Sequence, residues 1–492
     1  MARRVTKKTH LMKRSLITLL IGISALNICC KESDSILEEQ IGLNVSTETI
    51  DESSSIESKE TLQKMSPEAL RVRLQKAVND AAAKNQKLVL PSGTYYISDE
   101  VILPSNLLLE GSASKTQIIL VNGNKNGRNL FRIPTRTNNI KIKNIQLNSN
   151  QNGNSGADLV TLLVADNVSN LTFENVTFTG GRDRGAVQIK GLNDYPVQNV
   201  IFSKCTFNEA GRTSLELRGT KNVLISDCVF KNWGNINPNS PAIQLQSQDN
   251  IKPQIIRNTF DNSHGKQFAI ECAAAYVVDG KISENKLNDP QNLGGNGISG
   301  YYKRTEISKN VFSGGNGNQR SGLEIFGQHN TLSENTIPAG CIAIAPGLKE
   351  LGTTIVINNN QVKTSGPNVG GIQIGGGSSA IDNVRVTNNT VDTRLSTGNS
   401  SGIVVGTYGT PQVVTNIIVQ GNTINTNAHC IRLQSLGGSK NIQLLNNRFI
   451  TGYTWLGVIT NTFSNVSSKG NVNSLDNTSI SYSSNMPAII QN

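Results

Sequence analysis

The chain has 492 residues, a formal charge of +11, 45 Gly and only 5% aromatic residues. That profile, with asparagine conspicuous throughout the second half, suits an extended repeat better than a compact globule with an aromatic-rich core. The basic balance raises nucleic acid as a partner, but the cations are scattered over loops without a DNA- or RNA-reading motif, so no nucleic-acid function is expected.

Residues 1–30 read as an export signal. Six basic groups, ending at Lys13-Arg14, precede an apolar run from Leu16 to Ile28 and then Cys29-Cys30. The run is too short to span a bilayer comfortably. Leu26, three residues before Cys29, resembles the start of a bacterial lipobox, although Asn27 and Ile28 replace its usual small residues. Lipid on Cys29 or Cys30 is therefore expected, giving an outer-membrane lipid anchor. Cys30-Lys31-Glu32-Ser33-Asp34 also resembles the tag of surface-exposed lipoproteins; without the lipid, the chain would be periplasmic or secreted. Residues 31–65 carry nine acids, have no sustained apolar period, and are expected to form a disordered acidic tether.

Order is expected from Ser66, with residues 66–492 forming one domain. Ser66 as N-cap, Pro67 in the first turn and Glu68 behind it start a helix that places Leu70, Leu74, Val78 and Ala81 on one face. Strand-like segments follow at Lys87–Ile97 and Leu107–Gly111.

A repeat then dominates. Motifs such as Ile256-Arg257-Asn258-Thr259-Phe260 align by their last apolar residue at Leu147, Phe178, Phe207, Phe230, Phe260, Leu287, Phe312, Ile337, Val362, Val391, Ile424 and Phe449. One repeat of this length, with loops of variable size, fits one solenoid turn. Two residues before the aligned position stand Asn258, Asn285, Asn310, Asn335, Asn360, Asn389, Asn422 and Asn447, which predicts a ladder of side-chain amides down a stack of parallel strands. Cys205 and Cys228 occupy that position in the two preceding repeats. They, with Cys272, Cys341 and Cys430, are expected to be buried structural residues, since no metal-like spacing or disulfide framework links them. The fold expected is all-β: a right-handed single-stranded parallel β-helix of about 12–13 rungs with an N-terminal amphipathic cap helix.

A second strand family alternates aliphatic and polar residues, as in Ser214-Leu215-Glu216-Leu217-Arg218. Its outward positions predict two exposed columns. One reads Gln188, Glu216, Gln244, Glu271, Ser299, Glu324; the other reads Lys190, Arg218, Gln246, Ala273, Tyr301, Phe326. Beyond these the outward positions Ala343, Ala345, Gly375, Val404 and Gly406 are bland. Cationic loops at Arg182, Arg184, Arg212, Lys266, Lys303 and Arg320 surround the columns, a field that would draw an anionic polymer. His329 reads as a turn residue. Trp233 and Tyr276 are the aromatic side chains that could stack on sugars.

The cap helix, the LPSGTY and LLLEG segments and the asparagine positions resemble the pectate-lyase-like superfamily from about Ser66 to Phe449. That resemblance implies a polysaccharide-acting or glycan-binding β-helix. It transfers no catalytic residue, because neither the paired Asp and Gly-His-Gly of its hydrolases nor the calcium-binding Asp cluster of its lyases is present.

The activity expected is therefore β-elimination of an acidic, uronic-acid-containing polysaccharide. Lys190 and Arg218 would neutralise the substrate carboxylate, Tyr301 or Lys266 would serve as base or acid, and Glu216, Glu271 and Glu324 would join the catalytic set. Gln244, Gln246, Lys303 and Arg320 complete the substrate-binding group. The alternatives are a glycoside hydrolase using paired glutamates of the same column and a non-catalytic glycan-binding surface protein. No cofactor is required; Glu271 and Glu324 could help hold Ca²⁺. A monomer is expected.

Overall fold

The computed structural model describes residues 53–112, 115–123, 129–156, 158–261, 264–315, 322–345, 352–366, 370–375, 380–398, 400–406, 413–434, 438–450, 456–458 and 463–474. The export signal, Cys29, Cys30 and tether residues 31–52 lie outside them.

Each turn of the chain lays down three short strands. Val187–Lys190, Val197–Ser203 and Thr206–Asn208 form one turn, and Leu215–Arg218, Thr220–Ser226 and Val229–Lys231 form the next. Every strand pairs in parallel with its counterpart one turn on, so three faces build up along one axis, called here the first, second and third in chain order. This is the parallel β-solenoid that the repeat predicts. The third face has fifteen strands among the described residues. Twelve of them are centred on the aligned residues from Leu147 to Phe449, and the solenoid continues beyond both ends, with Gly93–Ile97 and Thr116–Leu120 before them and Val472–Asn473 after.

Alternation sends every second side chain inward, where Ile, Val, Leu and Phe fill a single continuous core. Phenylalanines stack in register: Phe173 on Phe202 at 4.8 Å, Phe178 on Phe207 at 5.2 Å, then Phe207 on Phe230 at 4.5 Å and Phe230 on Phe260 at 4.8 Å. Offset stacking of this kind adds about 0.5–1.5 kcal/mol per pair to the burial of each ring.

The ladder takes over at the rung where the phenylalanine column ends. Asn258 Nδ2 donates to Asn285 Oδ1 at 3.0 Å, Asn285 to Asn310 at 2.9 Å, Asn310 to Asn335 at 3.0 Å, and so on to Asn447. The same Oδ1 also accepts the backbone N–H of the preceding ladder residue, as Asn335 Oδ1 does from Asn310 at 3.1 Å. Asn471, not among the eight aligned asparagines, continues the series by accepting from Asn447 at 2.9 Å. At the other end Cys228 N donates to Asn258 Oδ1 at 2.9 Å and Cys205 N points at Cys228 Sγ, 3.4 Å away. The two cysteines fill the ladder position as expected. All five cysteines of the described residues are buried thiols, and burial lifts Cys272 and Cys341 to about 12.

A second amide ladder, on the surface, was not read from the sequence. Asn139, Asn170, Asn199 and Asn222 all adopt positive φ between 55° and 57° at one corner of successive turns, a conformation that asparagine tolerates better than most residues. Asn170 donates to Asn139 at 3.0 Å, Asn199 to Asn170 at 3.0 Å and Asn222 to Asn199 at 3.1 Å. His329, φ 56°, occupies the same kind of corner and is exposed, as its reading as a turn residue requires.

At the amino-terminal end the helix Pro67–Ala83 forms as predicted. Ser66 Oγ accepts from Ala69 N at 3.2 Å, and Leu70, Leu74, Val78, Ala81 and Ala82 are buried. The expectation of disorder up to residue 65 is corrected for 53–65. Ser53–Ser55 pairs in parallel with Lys87–Val89, and Lys59–Lys64 is a helical turn capped by Ser58. Two isolated apolar side chains explain this, because Ile56 and Leu62 both enter the core. Spaced six apart among acids, they showed no period.

Candidate functional site

The first of the two columns predicted on the first face is in register throughout, while in the second Lys190 aligns with Arg218, Gln246 with Ala273 and Tyr301 with Phe326. Gln188 aligns with Glu216, Glu216 with Gln244, Gln244 with Glu271, Glu271 with Ser299 and Ser299 with Glu324. The column then runs through Ala343 to Gln373, Val404 and Arg432. It is not bland beyond Glu324, a correction for Gln373 and Arg432, which the sequence alignment passed over.

Exposure is the larger correction. Gln188 and Glu216 are 2% exposed, Ser299 4% and Gln244 7%; they face away from the core yet are covered. The loops before the first-face strands stack on one another through backbone bonds, such as Gly211 N to Gly181 O at 2.8 Å and Gly234 N to Arg212 O at 2.9 Å. They close over the column's amino-terminal half: Gln188 Nε2 donates to Arg184 O at 2.6 Å and to Glu216 Oε2 at 3.2 Å. Strand alternation cannot reveal such a cover, because it is made by irregular backbone. Glu271 and Glu324, farther along, are half-buried.

Covered Glu216 has a partner suited to it. Arg218 Nε donates to Glu216 Oε1 at 2.7 Å, with the Arg218 side chain 37% exposed against 2% for Glu216. One of the five guanidinium N–H groups is thereby used to fix the orientation of the rest. Lys190 sits one rung away in register with Arg218 and is half-buried. Burial holds its pKa below the ordinary lysine value, and the cations Arg184 and Arg218 push the same way, against the opposing pull of Glu216. Lys190, Arg218 and Glu216 form one cluster.

The other predicted catalytic groups lie elsewhere on the face. Tyr301 is three rungs beyond Arg218, about 14 Å along the axis, so the two cannot act on one bond, and the single catalytic set expected from the sequence divides into two. The second part holds Glu271, Tyr301 and Glu324. Gln267 Nε2 donates to Glu271 Oε1 at 3.2 Å, and Ser299 Oγ donates to Glu324 Oε2 at 2.9 Å. Glu271 and Glu324 stand two rungs apart on the column, roughly 9–10 Å, with Ser299 between them.

Of the binding residues, Gln246 and Lys303 are half-buried and Lys266 is exposed on the loop that supplies Gln267. Arg320 lies outside the described residues. Trp233 is corrected as a stacking platform: it is fully buried, and the Gly265 backbone lies so close that a Cβ there would meet Trp233 Nε1 at 2.3 Å. Tyr276 is half-buried on the face, 5.8 Å from the Tyr301 ring. Among the described residues no group of three or more His, Cys, Asp and Glu side chains is placed to hold a metal ion.

No protein-family model matches the chain, and no curated protein matches it. Several solved structures do. A mutant tailspike protein of an E. coli bacteriophage in complex with a hexasaccharide aligns at 14% identity and TM-score 0.49, over 85% of this chain and 80% of that one. PfbA, a surface adhesin of Streptococcus pneumoniae, aligns at 15% identity and TM-score 0.44, over 86% and 93%. The A-module of a mannuronan C-5 epimerase from Azotobacter vinelandii aligns at 14% identity and TM-score 0.33, over 82% and 95%.

Proposed function

We propose that the first face binds an acidic, uronic-acid-containing polysaccharide and cleaves it by β-elimination, with Lys190 and Arg218 at the reacting sugar. The supporting observation is their placement on adjacent rungs, with Lys190 held below its ordinary pKa by burial and neighbouring cations. A lysine that holds its proton less tightly than usual is a better base than an ordinary lysine, and a fixed guanidinium stabilises the charge that builds on the substrate carboxylate.

The neutral Lys190 amine takes the proton on the carbon next to the carboxylate, and the electron pair left there is stabilised through the carboxylate by Arg218. The glycosidic oxygen on the adjacent carbon departs with its bonding pair and takes a proton back from the Lys190 ammonium. One chain end carries a new double bond conjugated with its carboxylate, and the other is a new hydroxyl. Glu216 keeps Arg218 in position.

Incubation with uronic-acid and sulfated polymers, recording ultraviolet absorbance and reducing ends together, tests this. Elimination gives both signals, and Arg218→Ala loses turnover by more than it loses affinity. Reducing ends without absorbance, abolished in Glu271→Gln, would replace elimination with hydrolysis. The second reading is favoured by Glu271 and Glu324, whose two-rung separation of roughly 9–10 Å is near the upper end of the about 6.5–9.5 Å of an inverting pair. Binding with neither signal leaves a glycan receptor.

For location we propose lipid on Cys29 or Cys30 and display at the outer-membrane surface. Intact mass of the mature protein decides it: an amino terminus downstream of Cys30 without lipid removes the anchor.

A further inference from the structure

The first face carries a feature that elimination at Lys190 and Arg218 does not use. Tyr276, Tyr301 and Phe326 form a column of three half-buried rings, with Tyr276 edge-on to Tyr301 at 5.8 Å and Tyr301 tilted on Phe326 at 5.2 Å. Phe326 aligns with Ala345 on the following rung, and Ala273 aligns with Gln246 on the preceding one, so the rings are a bounded strip.

The backbone is distorted to make it. The strand Ile270–Val278 slips register between Cys272 and Val277, where its neighbour runs only from Gly300 to Tyr302. The extra residues, with Ala274 at φ +58°, carry Tyr276 out to the Tyr301 ring, and Asp249 Oδ1 accepts its backbone N–H at 3.0 Å. Bulges commonly re-aim a side chain beside a working site. Gly300 sits under the slip at φ +130°, where a Cβ would meet Cys272 O at 2.1 Å.

We infer that this strip is a glycan-stacking subsite in which pyranose rings lie on Tyr276, Tyr301 and Phe326 while Glu271 and Glu324 on the adjacent column receive their hydroxyls. A sugar presents apolar C–H faces and a polar rim, and the strip pairs aromatic planes with hydrogen-bonding side chains in the same arrangement. The inference rests on the reading of the first face as a glycan site and extends it. Phe326 lies four rungs from Arg218, about 19 Å along the axis, so one chain must be long to occupy both ends. The site therefore selects polymer over short oligosaccharide.

The test uses the full-length protein with alginate, pectate and chondroitin sulfate, each as polymer and as tetrasaccharide. Calorimetry gives the ratio of polymer to tetrasaccharide affinity, and sedimentation gives the oligomeric state. Tyr301→Ala and Phe326→Ala should each lower the ratio about tenfold, the loss of about 1.4 kcal/mol of stacking. Tyr301→Phe should keep it. Lys190→Ala should lose cleavage, whereas Phe326→Ala should still cleave polymer at saturating concentration, which separates the strip from the chemistry. A ratio unchanged in both alanine variants overturns the strip and leaves the proposed cleavage standing. A lowered ratio in a protein that cleaves none of the polymers upholds the strip and sinks the elimination. Loss of self-association without loss of the ratio would make the rings a contact between copies and overturn the inference. A wild-type protein that binds no member of the panel removes both readings.

Discussion

Removing the Arg218 guanidinium would leave the covered Glu216 carboxylate with Gln188 as its hydrogen-bond partner and only the more distant pull of Lys190 to balance its charge. Breaking such a pair costs more than the pair contributes, because the remaining charge is still out of water. Arg218→Ala should therefore destabilise the fold by about 3 kcal/mol in guanidinium denaturation, and Glu216→Gln in the same background should recover most of it. Equal losses in the single and double variants would show that Glu216 is not held by this bond. Lys190 gives a pH prediction with a definite sign. Its folded value lies below the ordinary 10.5, so between the two the unfolded chain binds more protons and stability rises with pH. Lys190→Met should flatten that rise, and the wild-type kcat/KM should climb on a limb below 10.5 as the amine loses its proton. A limb that survives in Lys190→Met assigns it to another group. The sequence showed both cations in their column but not this chemistry, because the cover that keeps Glu216 out of water beside Arg218 is made by loops.

Among the elements, the inner ladder is where sequence and structure agree most closely. One residue type at one offset in successive turns can satisfy its amide only by stacking, and Asn310, Asn335 and Asn360 point along one line. Asn335→Ala removes the acceptor for Asn310 N and Nδ2 and the donor to Ile307 O. It should cost at least about 3 kcal/mol, since several buried groups lose partners at about 1–3 kcal/mol each. Asn170→Ala in the surface ladder, where the half-buried amide is still reached by water, should cost less than about 1 kcal/mol. Similar losses at the two positions would mean that burial is not what gives the inner ladder its strength. The bulge in Ile270–Val278 was illegible for the opposite reason. Three alanines carry no pattern, so Ala273 was placed in register correctly while Tyr276 was read apart from the ring column.

Over the whole molecule, the two stacking systems divide the solenoid. Phenylalanine columns run from Phe173 to Phe260, and the amide ladder runs from Asn258 to Asn471, meeting within one rung. Both halves also share the aliphatic core, and the handover from Cys228 to Asn258 is a backbone-to-amide bond that keeps the turn geometry unchanged across it. Apolar stacking weakens as water is cooled, because its driving force near room temperature is entropic and carries a large heat-capacity change, whereas an amide-to-amide bond has no such dependence. One chain thus joins two segments with different thermometers. Near freezing and in mild urea, amides of residues 173–230 should exchange with solvent sooner than those of residues 310–447, and warming to room temperature should narrow the gap; a gap that is constant with temperature would mean that the two columns contribute in the same way. The proposed cleavage cluster at Lys190 and Arg218 lies in the cold-sensitive segment and the ring strip in the other, so on that proposal chilling should cost catalysis before it costs grip.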